Sequence, residues 1–372
     1  MSPRTIIQPS RLSRGVRRWA QARHFSDRRV IFSGIQPTGT PHLGNYIGAI
    51  HRWVRLQDEP GEVSDLIYSV VDLHAITMPI SPEVLRRHRR EAMASLLAAG
   101  IDPDRSTLFY QSAIPAHSEL MWILACRAST GYLSRMTQWK SKLSVASSTT
   151  LFDEDVRSSL KLGLFSYPVL QAADILLYRA THVPVGDDQR QHLEFARECV
   201  SNFNSTYGKH LVSPTTLSSP ELRVMSLQNP AQKMSKSDKS HWSRILITDT
   251  PEEINKKVMG AVTDSENYVS YDPAARPGVS NLLRLLSYFD SGSRTPEQLA
   301  AELSSENAGL GVLKQSVSES IIAAMSGIRE RYLQLLAEDG GGFIDHVARE
   351  GARKAQLRAD ETMAIVREAV GL

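Results

Sequence analysis

Apolar positions follow two different periods along the first two thirds of the chain. Short runs rich in β-branched and aromatic residues predict three strands, at Arg29–Ser33, Asp65–Val71 and Ser106–Gln111. Longer stretches with apolar residues at helical spacing separate them, at Gly44–Gln57, from Ser81 onwards and at Ser118–Ala128. Strands that alternate with helices in this way are typical of a parallel sheet with helices on both faces. The sequence therefore predicts an α/β, Rossmann-like fold.

The pattern changes after about residue 245, where strand candidates become scarce. Five stretches of helical period follow, at Pro251–Val258, Ser280–Phe289, Pro296–Leu303, Gly311–Leu336 and Phe343–Val370. The simplest division is an α/β catalytic domain over residues 27–245 and an all-helical C-terminal domain over residues 246–350. Residues 351–372 are then expected to form a C-terminal helix that packs back on the body.

Residues 1–26 differ from the rest of the chain in charge. They contain six arginines, several serines and no acidic residue. This composition is typical of a mitochondrial transit peptide, with cleavage expected near residues 23–26. A disordered basic tail that contacts RNA directly is the alternative. Loss of the six arginines would lower the net charge from +3 to −3, so RNA binding would then depend on local basic patches.

Composition excludes several other classes of protein. The 372 residues are 41% hydrophobic and 22% charged, as in ordinary globular proteins. The chain has no run of about eighteen uncharged apolar residues, so no membrane span is predicted. Cys126 and Cys199 are far apart and belong to no CxxC motif, which argues against a disulfide framework and a zinc site. The small polar run Ser144–Thr150 predicts a mobile surface loop.

A glycine-rich turn joins the first predicted strand to the first predicted helix. It reads Ser33-Gly34-Ile35-Gln36-Pro37-Thr38-Gly39, and His42-Leu43-Gly44-Asn45 follows. Amides at a helix N-terminus favour phosphate, and glycines let a ligand approach the backbone closely. The side chains of His42 and Asn45 add hydrogen-bond donors. Taken alone, such a turn is about as often structural as functional.

A second polar segment, Lys233-Met234-Ser235-Lys236-Ser237, follows an Asn-Pro pair. Two ammonium groups three residues apart on a loop can close over a polyphosphate and stabilise developing charge. A solvated surface loop is the plain alternative for this pentapeptide alone.

Together the two segments resemble the His-Ile-Gly-His and Lys-Met-Ser-Lys-Ser signatures of class I aminoacyl-tRNA synthetases. The first signature is matched imperfectly by His42–Asn45, and the second is matched in full by Lys233–Ser237. Further segments resemble the tryptophanyl family: Phe32–Gly39, Asp72–Thr77, Met136–Lys140, Tyr167–Tyr178, Val183–His192 and Ala261–Ser265. Gln171 stands where bacterial members usually carry methionine, and in this respect the chain resembles mitochondrial members. The resemblance spans residues 29–372 and implies that residues 246–350 bind the anticodon.

The resemblance also implies a tryptophan pocket. An indole offers one N–H donor and a large apolar body, so its site needs an acceptor inside an apolar wall. Asp174 would accept from the indole nitrogen. The other implied pocket residues are Phe32, Val183 and Val185 around the ring, and Tyr167, His74, Gln171 and Gln189. The apolar residues alone are equally consistent with plain core, whereas a carboxylate in an apolar helical run needs a donor nearby.

The implied reaction uses ATP, with Mg²⁺ carried by the nucleotide and no metal site of the protein's own. Lys233, Lys236 and Lys140 would hold the departing pyrophosphate, with His42 as a further catalytic residue. The residues implied to contact ATP are Gln36, Pro37, Thr38, Gly44, Asn45, Gly186, Asp187, Asp188, Val224, Lys233, Met234, Ser235, Lys236 and Ser237. The implied partners are L-tryptophan, tRNA(Trp) and a second copy of the chain, in the mitochondrial matrix and without a membrane.

Three other functions remain open at this point. A tyrosyl-tRNA synthetase shares the fold and both signatures, but its site must address a phenol. A small-molecule adenylyltransferase would use a similar turn but has no need of the helical second half. A non-catalytic RNA-binding relative would not need the intact lysine segment. In the helical half, the basic residues Lys256, Lys257, Arg329 and Arg331 either contact RNA or are solvated helix faces.

Overall fold

The computed structural model describes residues 29–59, 65–143, 145–146, 149–151, 153–186, 189–218, 223–338 and 342–372. The predicted transit peptide and its cleavage region lie outside the described residues. Part of the predicted polar loop Ser144–Thr150 lies outside them as well.

A five-stranded parallel sheet forms the centre of the described chain, in the order β3-β2-β1-β4-β5. The strands are β1 Val30–Ile35, β2 Asp65–Val70, β3 Ser106–Tyr110, β4 His182–Val185 and β5 Thr215–Ser218. The three strands predicted from the apolar runs are confirmed. The sequence pattern did not reveal β4 and β5, because each has only four residues and β4 contains Pro184, a residue that strands disfavour.

Helices connect the strands and cover the sheet. The first, α1, spans residues 43–58 and contains a π-helical segment at Tyr46–Ile50. The next eight are α2 Asp72–Ala75, α3 Pro82–Ala98, α4 Ala116–Ala125, α5 Thr130–Ser134, α6 Thr137–Lys142, α7 Glu154–Ser159, α8 Leu162–Leu176 and α9 Arg190–Tyr207. Helix α3 starts as predicted, because Ser81 Oγ accepts a hydrogen bond from the Val84 amide at 3.3 Å.

The described chain beyond residue 245 has no regular strand and is largely helical. Its helices are α10 Pro251–Met259, α11 Pro277–Phe289, α12 Pro296–Ser305, α13 Leu310–Met325, α14 Ile328–Ala337 and α15 Gly342–Val370. The predicted stretch of helical period at Gly311–Leu336 is helical but consists of two helices, α13 and α14. The chain breaks between α13 and α14 at Gly327, whose φ of 79° is left-handed and interrupts the helix. Helix α15 runs without a break through residues 350 and 351, where the sequence analysis divides the helical domain from the C-terminal helix.

Alternate side chains of the central strands face opposite sides of the sheet. Ile31 and Tyr68 belong to one apolar cluster, whereas Phe32 and Ile67 belong to the other. The first cluster includes side chains of α1 and α3 and continues into α10, α11, α13 and α14. The second includes side chains of α4, α8 and α9. The α/β region and the helical region therefore share a continuous core on one face of the sheet.

Helix α15 packs against the edge strand β3 and contributes to both clusters. Val347 lies in the first cluster and Ala359 in the second. Between them, Gly351 lies so close to the strand that a Cβ built on it would be 1.8 Å from the Leu108 carbonyl oxygen. The helix thus covers the open edge of the sheet, where unpaired strand groups would otherwise invite association.

Candidate active site

A cavity of about 770 Å³ opens at the carboxyl ends of β1 and β4. These two strands are neighbours in the sheet although they are distant in sequence. Ligands of open α/β sheets bind at such a point, because the connections leave the two strands toward opposite faces. The cavity walls come from β1, β4 and the helices α1, α6 and α8.

The start of α1 is fixed by its own first turn. The ring of His42 accepts a hydrogen bond from the Asn45 amide at 3.3 Å, and Asn45 Oδ1 accepts from the His42 amide at 3.2 Å. Gly44 must stay small because a Cβ there would lie 3.0 Å from the His42 ring. Asn45 and Gly48 line the cavity. The start of α1 therefore lies at the cavity, although the Leu43 amide already donates to the Ile245 carbonyl at 2.7 Å.

His42 itself is buried and does not line the cavity. Burial, the largest cause, acts together with the positive charges of Lys236, Arg244 and Lys233 to lower its pKa to about 4. The imidazole is therefore neutral near pH 7, which lets one ring nitrogen accept the Asn45 amide. Its structural task is the capping of α1.

The lysine segment begins in the second strand of a short antiparallel hairpin. The Met234 amide donates to the Val224 carbonyl at 3.0 Å, and the Ser226 amide donates to the Gln232 carbonyl at 2.8 Å. Met234 is buried and anchors the segment, whereas the Lys233 side chain is exposed. Ser235 lines the cavity. The anchored methionine thus leaves polar side chains on either side of it free to face the site.

Lys236 joins the two predicted segments. Its ammonium group donates to the Gly39 carbonyl at 2.7 Å and to Thr38 Oγ1 at 3.1 Å. Burial lowers the pKa of Lys236 to about 8, an effect that Glu91 opposes and Arg244 reinforces. Residues 197 and 198 positions apart in sequence therefore meet at one place, with a positive charge between them.

Asp174, on α8, also lines the cavity and is 1% exposed. His74 Nε2 donates to its Oδ2 at 2.9 Å. Its Oδ1 accepts from Gln111 Nε2 at 2.7 Å and from His117 Nδ1 at 2.6 Å. With its proton on Nδ1, His117 accepts the Tyr178 hydroxyl at Nε2, at 2.8 Å. A buried carboxylate is thus held by three side-chain donors.

These donors set the charge of Asp174. Burial acts to raise its pKa, but His117 and His74 outweigh burial and lower the pKa to about 2. The carboxylate is therefore ionised at any ordinary working pH. Among the described residues, Oδ2 accepts from His74 and can accept a second hydrogen bond, while the Nδ1 atom of His74 has no hydrogen-bond partner there. Two acceptor positions thus remain available at the cavity.

The remaining predicted pocket residues surround the same space. Phe32, His74, Tyr167, Gln171, Val183 and Gln189 all line the cavity. Gln171 Nε2 donates to Gln189 Oε1 at 3.2 Å, and the Tyr167 hydroxyl lies 3.0 Å from His192 Nε2. Gln171 therefore has a polar partner on the cavity wall. Phe32 stacks on Tyr178 with ring centroids 5.6 Å apart, which fixes its ring against the wall.

Comparison with known proteins decides the family. The model of the class I tRNA synthetases (W and Y) matches residues 26–326. The mitochondrial tryptophan–tRNA ligase of Saccharomyces cerevisiae is 45% identical over 92% of this chain and 90% of its own. That of Schizosaccharomyces pombe is 42% identical over 92% and 95%. A crystal structure of tryptophanyl-tRNA synthetase from Campylobacter jejuni with ADP and tryptophan superimposes with a TM-score of 0.73, at 31% identity over 92% and 100%.

The chain belongs to the tryptophan–tRNA ligases of class I. It is an ATP-dependent aminoacyl-tRNA ligase, and the predicted family, fold class and enzyme class are confirmed. The roles of individual residues rest on the geometry of this synthetase itself.

The synthetase places the predicted ATP residues unevenly. Gln36, Asn45, Gly186 and Ser235 line the cavity. The others that are described lie next to it or form its supports rather than its wall: Pro37, Thr38, Gly44, Val224, Lys233, Met234, Lys236 and Ser237. Asp187, Asp188 and the side chain of Val185 lie outside the described residues.

Lys140 is predicted to help hold the departing pyrophosphate. Its ammonium group lies 5.4 Å from the centroid of the Trp139 ring and does not line the cavity. On the same helix, α6, it is Lys142 that lines the cavity, together with Thr137, Gln138 and Ser141. Lys142 faces the cavity and Lys140 does not, because residues two positions apart on a helix point in different directions.

Sequence reasoning missed the partners that stand behind the pocket of this synthetase. Gln111 and His117 donate to Asp174 from positions 63 and 57 residues away. Both follow β3, so the carboxyl end of that strand was their only signal in the sequence. Among the described residues, no group of three or more His, Cys, Asp or Glu side chains could hold a metal ion.

Proposed function

We propose that this synthetase activates L-tryptophan with ATP, forming tryptophanyl adenylate and pyrophosphate, and transfers tryptophan to tRNA(Trp). One observation carries the proposal: an ionised, three-fold hydrogen-bonded Asp174 and Ser235, the neighbour of Lys236, line one cavity at the switch point of the sheet.

Asp174 accepts the indole N–H in this proposal, at the second acceptor position of its Oδ2 atom. Phe32 and Val183 contact the ring, while Tyr167, Gln171 and Gln189 orient the amino and carboxylate groups. His74 holds Asp174 in place and offers Nδ1 to the ligand. A phenylalanine side chain would leave these acceptors unpaired, and a buried acceptor without a donor costs about 1–3 kcal/mol.

In the first step, a carboxylate oxygen of tryptophan attacks the α-phosphorus of ATP. A bond forms between that oxygen and phosphorus, and the bond to the bridging oxygen breaks, so that pyrophosphate leaves with the electron pair. The attacking group is already ionised, so the enzyme needs to supply position and charge rather than a base. Gln36, Asn45 and the first turn of α1 hold the phosphates. Lys233 and Lys236 stabilise the leaving group, and Lys142 is better placed than Lys140 to assist.

Mg²⁺ enters with ATP as part of the substrate. Mg²⁺ prefers oxygen ligands and is commonly bound through the phosphates of a substrate nucleotide. Bound in this way, it would neutralise charge on the β- and γ-phosphates.

The helical domain, residues 246–350, is proposed to contact the anticodon. Of its four predicted basic residues, Lys257 is neither an RNA contact nor a solvated charge, because it is buried and donates to Asp249 Oδ2 at 2.5 Å. Arg329 donates to the Thr248 carbonyl at 3.1 Å. Neither is a simple solvated charge. Lys256 and Arg331 remain the candidates for RNA contact. In the proposed domain division, residues 27–245 form the catalytic domain and residues 351–372 form the C-terminal helix.

A homodimer is proposed, with tRNA bound across the two subunits. Trp122 on α4 is 71% exposed, Leu162 at the start of α8 is 78% exposed, and Ile76 is 56% exposed. Helix α4 packs against α8, and a Cβ on Gly163 would lie 3.9 Å from Thr77. These apolar side chains therefore lie on neighbouring elements, as a partner surface requires.

The proposed location is the mitochondrial matrix. Two similar proteins are mitochondrial ligases, and the arginine-rich composition of residues 1–26 is that of a transit peptide. Among the described residues, no helix combines the length and hydropathy that crossing a bilayer requires.

The decisive assay is ATP–pyrophosphate exchange by residues 27–372, measured separately with each of the twenty amino acids. Tryptophan alone should support rapid exchange. Asp174→Asn should lower kcat/KM for tryptophan about 100-fold, because the amide presents a donor within the cluster that holds the carboxylate. Lys236→Ala should slow exchange far more than it weakens tryptophan binding. Exchange with tyrosine instead, or full activity of Lys236→Ala, would overturn the assignment.

A further inference from the structure

The hairpin that contains Lys233 and Met234 has one edge whose backbone groups are paired by another part of the molecule. Met225 and Lys233 face each other across its two strands. The hydrogen bonds from Met234 to Val224 and from Ser226 to Gln232 flank this pair. In an antiparallel ladder, such a flanked pair is not itself hydrogen-bonded, so its N–H and C=O groups point outward. The outer edge of Met225 therefore needs partners from elsewhere.

Asn281 supplies both partners. Its Oδ1 accepts from the Met225 amide at 3.1 Å, and its Nδ2 donates to the Met225 carbonyl at 3.3 Å. The side chain thus acts as a neighbouring β-strand would, with one donor and one acceptor on a single residue. Asn281 is 3% exposed and lies on α11, between residues that form the shared apolar core. It joins the helical region to the hairpin by direct hydrogen bonds.

The position of Met225 bears on both halves of the phosphate site. Lys233 lies opposite it, and Lys236 follows three residues later. The preceding residue, Val224, lies 3.6 Å from a Cβ built on Gly44 in the first turn of α1. A shift of the Met225 backbone would therefore move the lysine segment relative to the turn that Lys236 contacts. Displacements of about 1 Å are enough to slow a step that depends on positioning.

We propose that Asn281 is a positioning residue for adenylate formation, which holds Lys233 and Lys236 in register with the start of α1. It acts through the Met225 backbone and does not contact substrate. The proposal rests on the proposed role of the two lysines in stabilising pyrophosphate. It also gives the helical region a direct mechanical connection to the catalytic loop, because α11 packs against α13 in that region.

Two variants test the positioning role of Asn281, and a third controls for loss of stability. Asn281→Ala removes both hydrogen bonds. Asn281→Asp keeps the size and the acceptor for the Met225 amide but turns an oxygen toward the Met225 carbonyl. The control is Val279→Ala, on the same helix and fully buried, which loosens the core without removing a hydrogen bond to Met225. For each, the measurements are the unfolding midpoint, the tryptophan Kd, and kcat and KM for ATP in pyrophosphate exchange.

Both Asn281 variants should lower kcat about tenfold or more, a loss of the size expected when catalytic groups are displaced. Their tryptophan Kd should stay within about twofold, because the surroundings of Asp174 are unchanged. Hydrogen exchange at the Met225 amide should become faster. Val279→Ala should lower the unfolding midpoint with kcat preserved. An equal kcat loss in Val279→Ala, or normal kcat in Asn281→Asp, would overturn the positioning role of Asn281.

Lys236→Ala, assayed in parallel, separates this proposal from the one on which it rests. If Lys236→Ala keeps full exchange activity, the proposed role of the lysine segment is wrong. If Lys236→Ala is slow while both folded Asn281 variants keep normal kcat, the role of the lysine segment stands and the positioning role of Asn281 is wrong.

Discussion

At the scale of single residues, Asp174 shows how a carboxylate stays charged without contact with bulk water. Burial alone would raise its pKa, but the histidines on either side lower it from the ordinary value of 3.8 to about 2. The free energy that its ionisation contributes is therefore present above about pH 4 and is lost as the pH falls toward 2. Selectivity that depends on this charge will not vary over the physiological pH range.

Lys236 behaves differently, since its pKa of about 8 lies close to physiological pH. The free enzyme loses this positive charge as the pH rises through 8, so kcat/KM for ATP should fall there. Lys236→Arg keeps the charge, because a guanidinium stays protonated above pH 12. The pH profile of pyrophosphate exchange should therefore lose this fall in the arginine variant. Identical profiles between pH 7 and 9.5 would show that another group controls the alkaline limb.

At the scale of elements, the most demanding contact is that of α15 with β3. Gly351→Ala would place a methyl group 1.8 Å from the Leu108 carbonyl oxygen, so the helix must move away from the strand. The free energy of unfolding should fall by about 3 kcal/mol. In the matched control, Gly311→Ala, the new methyl meets nothing within 4 Å, and stability should be unchanged or slightly higher. Equal unfolding midpoints for the two variants would contradict the close packing of α15.

Elements with strong local signals were predictable from sequence. The strand Asp65–Val70 contains the apolar run Leu66-Ile67-Tyr68, and α3 begins at a Ser-Pro pair. Elements defined by their surroundings were not predictable. Strand β4 has four residues and a proline, and its pairing with β1 and β5 makes it a strand. The break at Gly327 was not predictable either, because the helical period continues on both sides of it.

The same limit applies to the site. The two signature segments and Asp174 could be found from sequence because each is local. That Lys142 rather than Lys140 faces the cavity depends on the rotation of α6 about its axis. The donors Gln111 and His117 reach Asp174 only through the fold of β3 against β2. Long-range contacts of this kind leave no periodic signal in a sequence.

At the scale of the whole molecule, one apolar cluster unites the α/β and helical regions, while apolar side chains on the opposite side remain exposed. Trp122→Glu would place a charge within the proposed dimer surface, so the chain should become monomeric in sedimentation equilibrium. Leu357→Glu is the matched control, because Leu357 is 58% exposed on α15. It should leave the dimer intact. A dimer that survives Trp122→Glu would place the interface elsewhere.

The most direct test of the whole account is a crystal structure of residues 27–372 with a non-hydrolysable tryptophanyl adenylate analogue. The account predicts the indole nitrogen about 2.9 Å from an oxygen of Asp174, and the phosphate at the first turn of α1 beside Lys236. An analogue bound outside this cavity, or an indole ring turned away from Asp174 with its nitrogen on another acceptor, would contradict it.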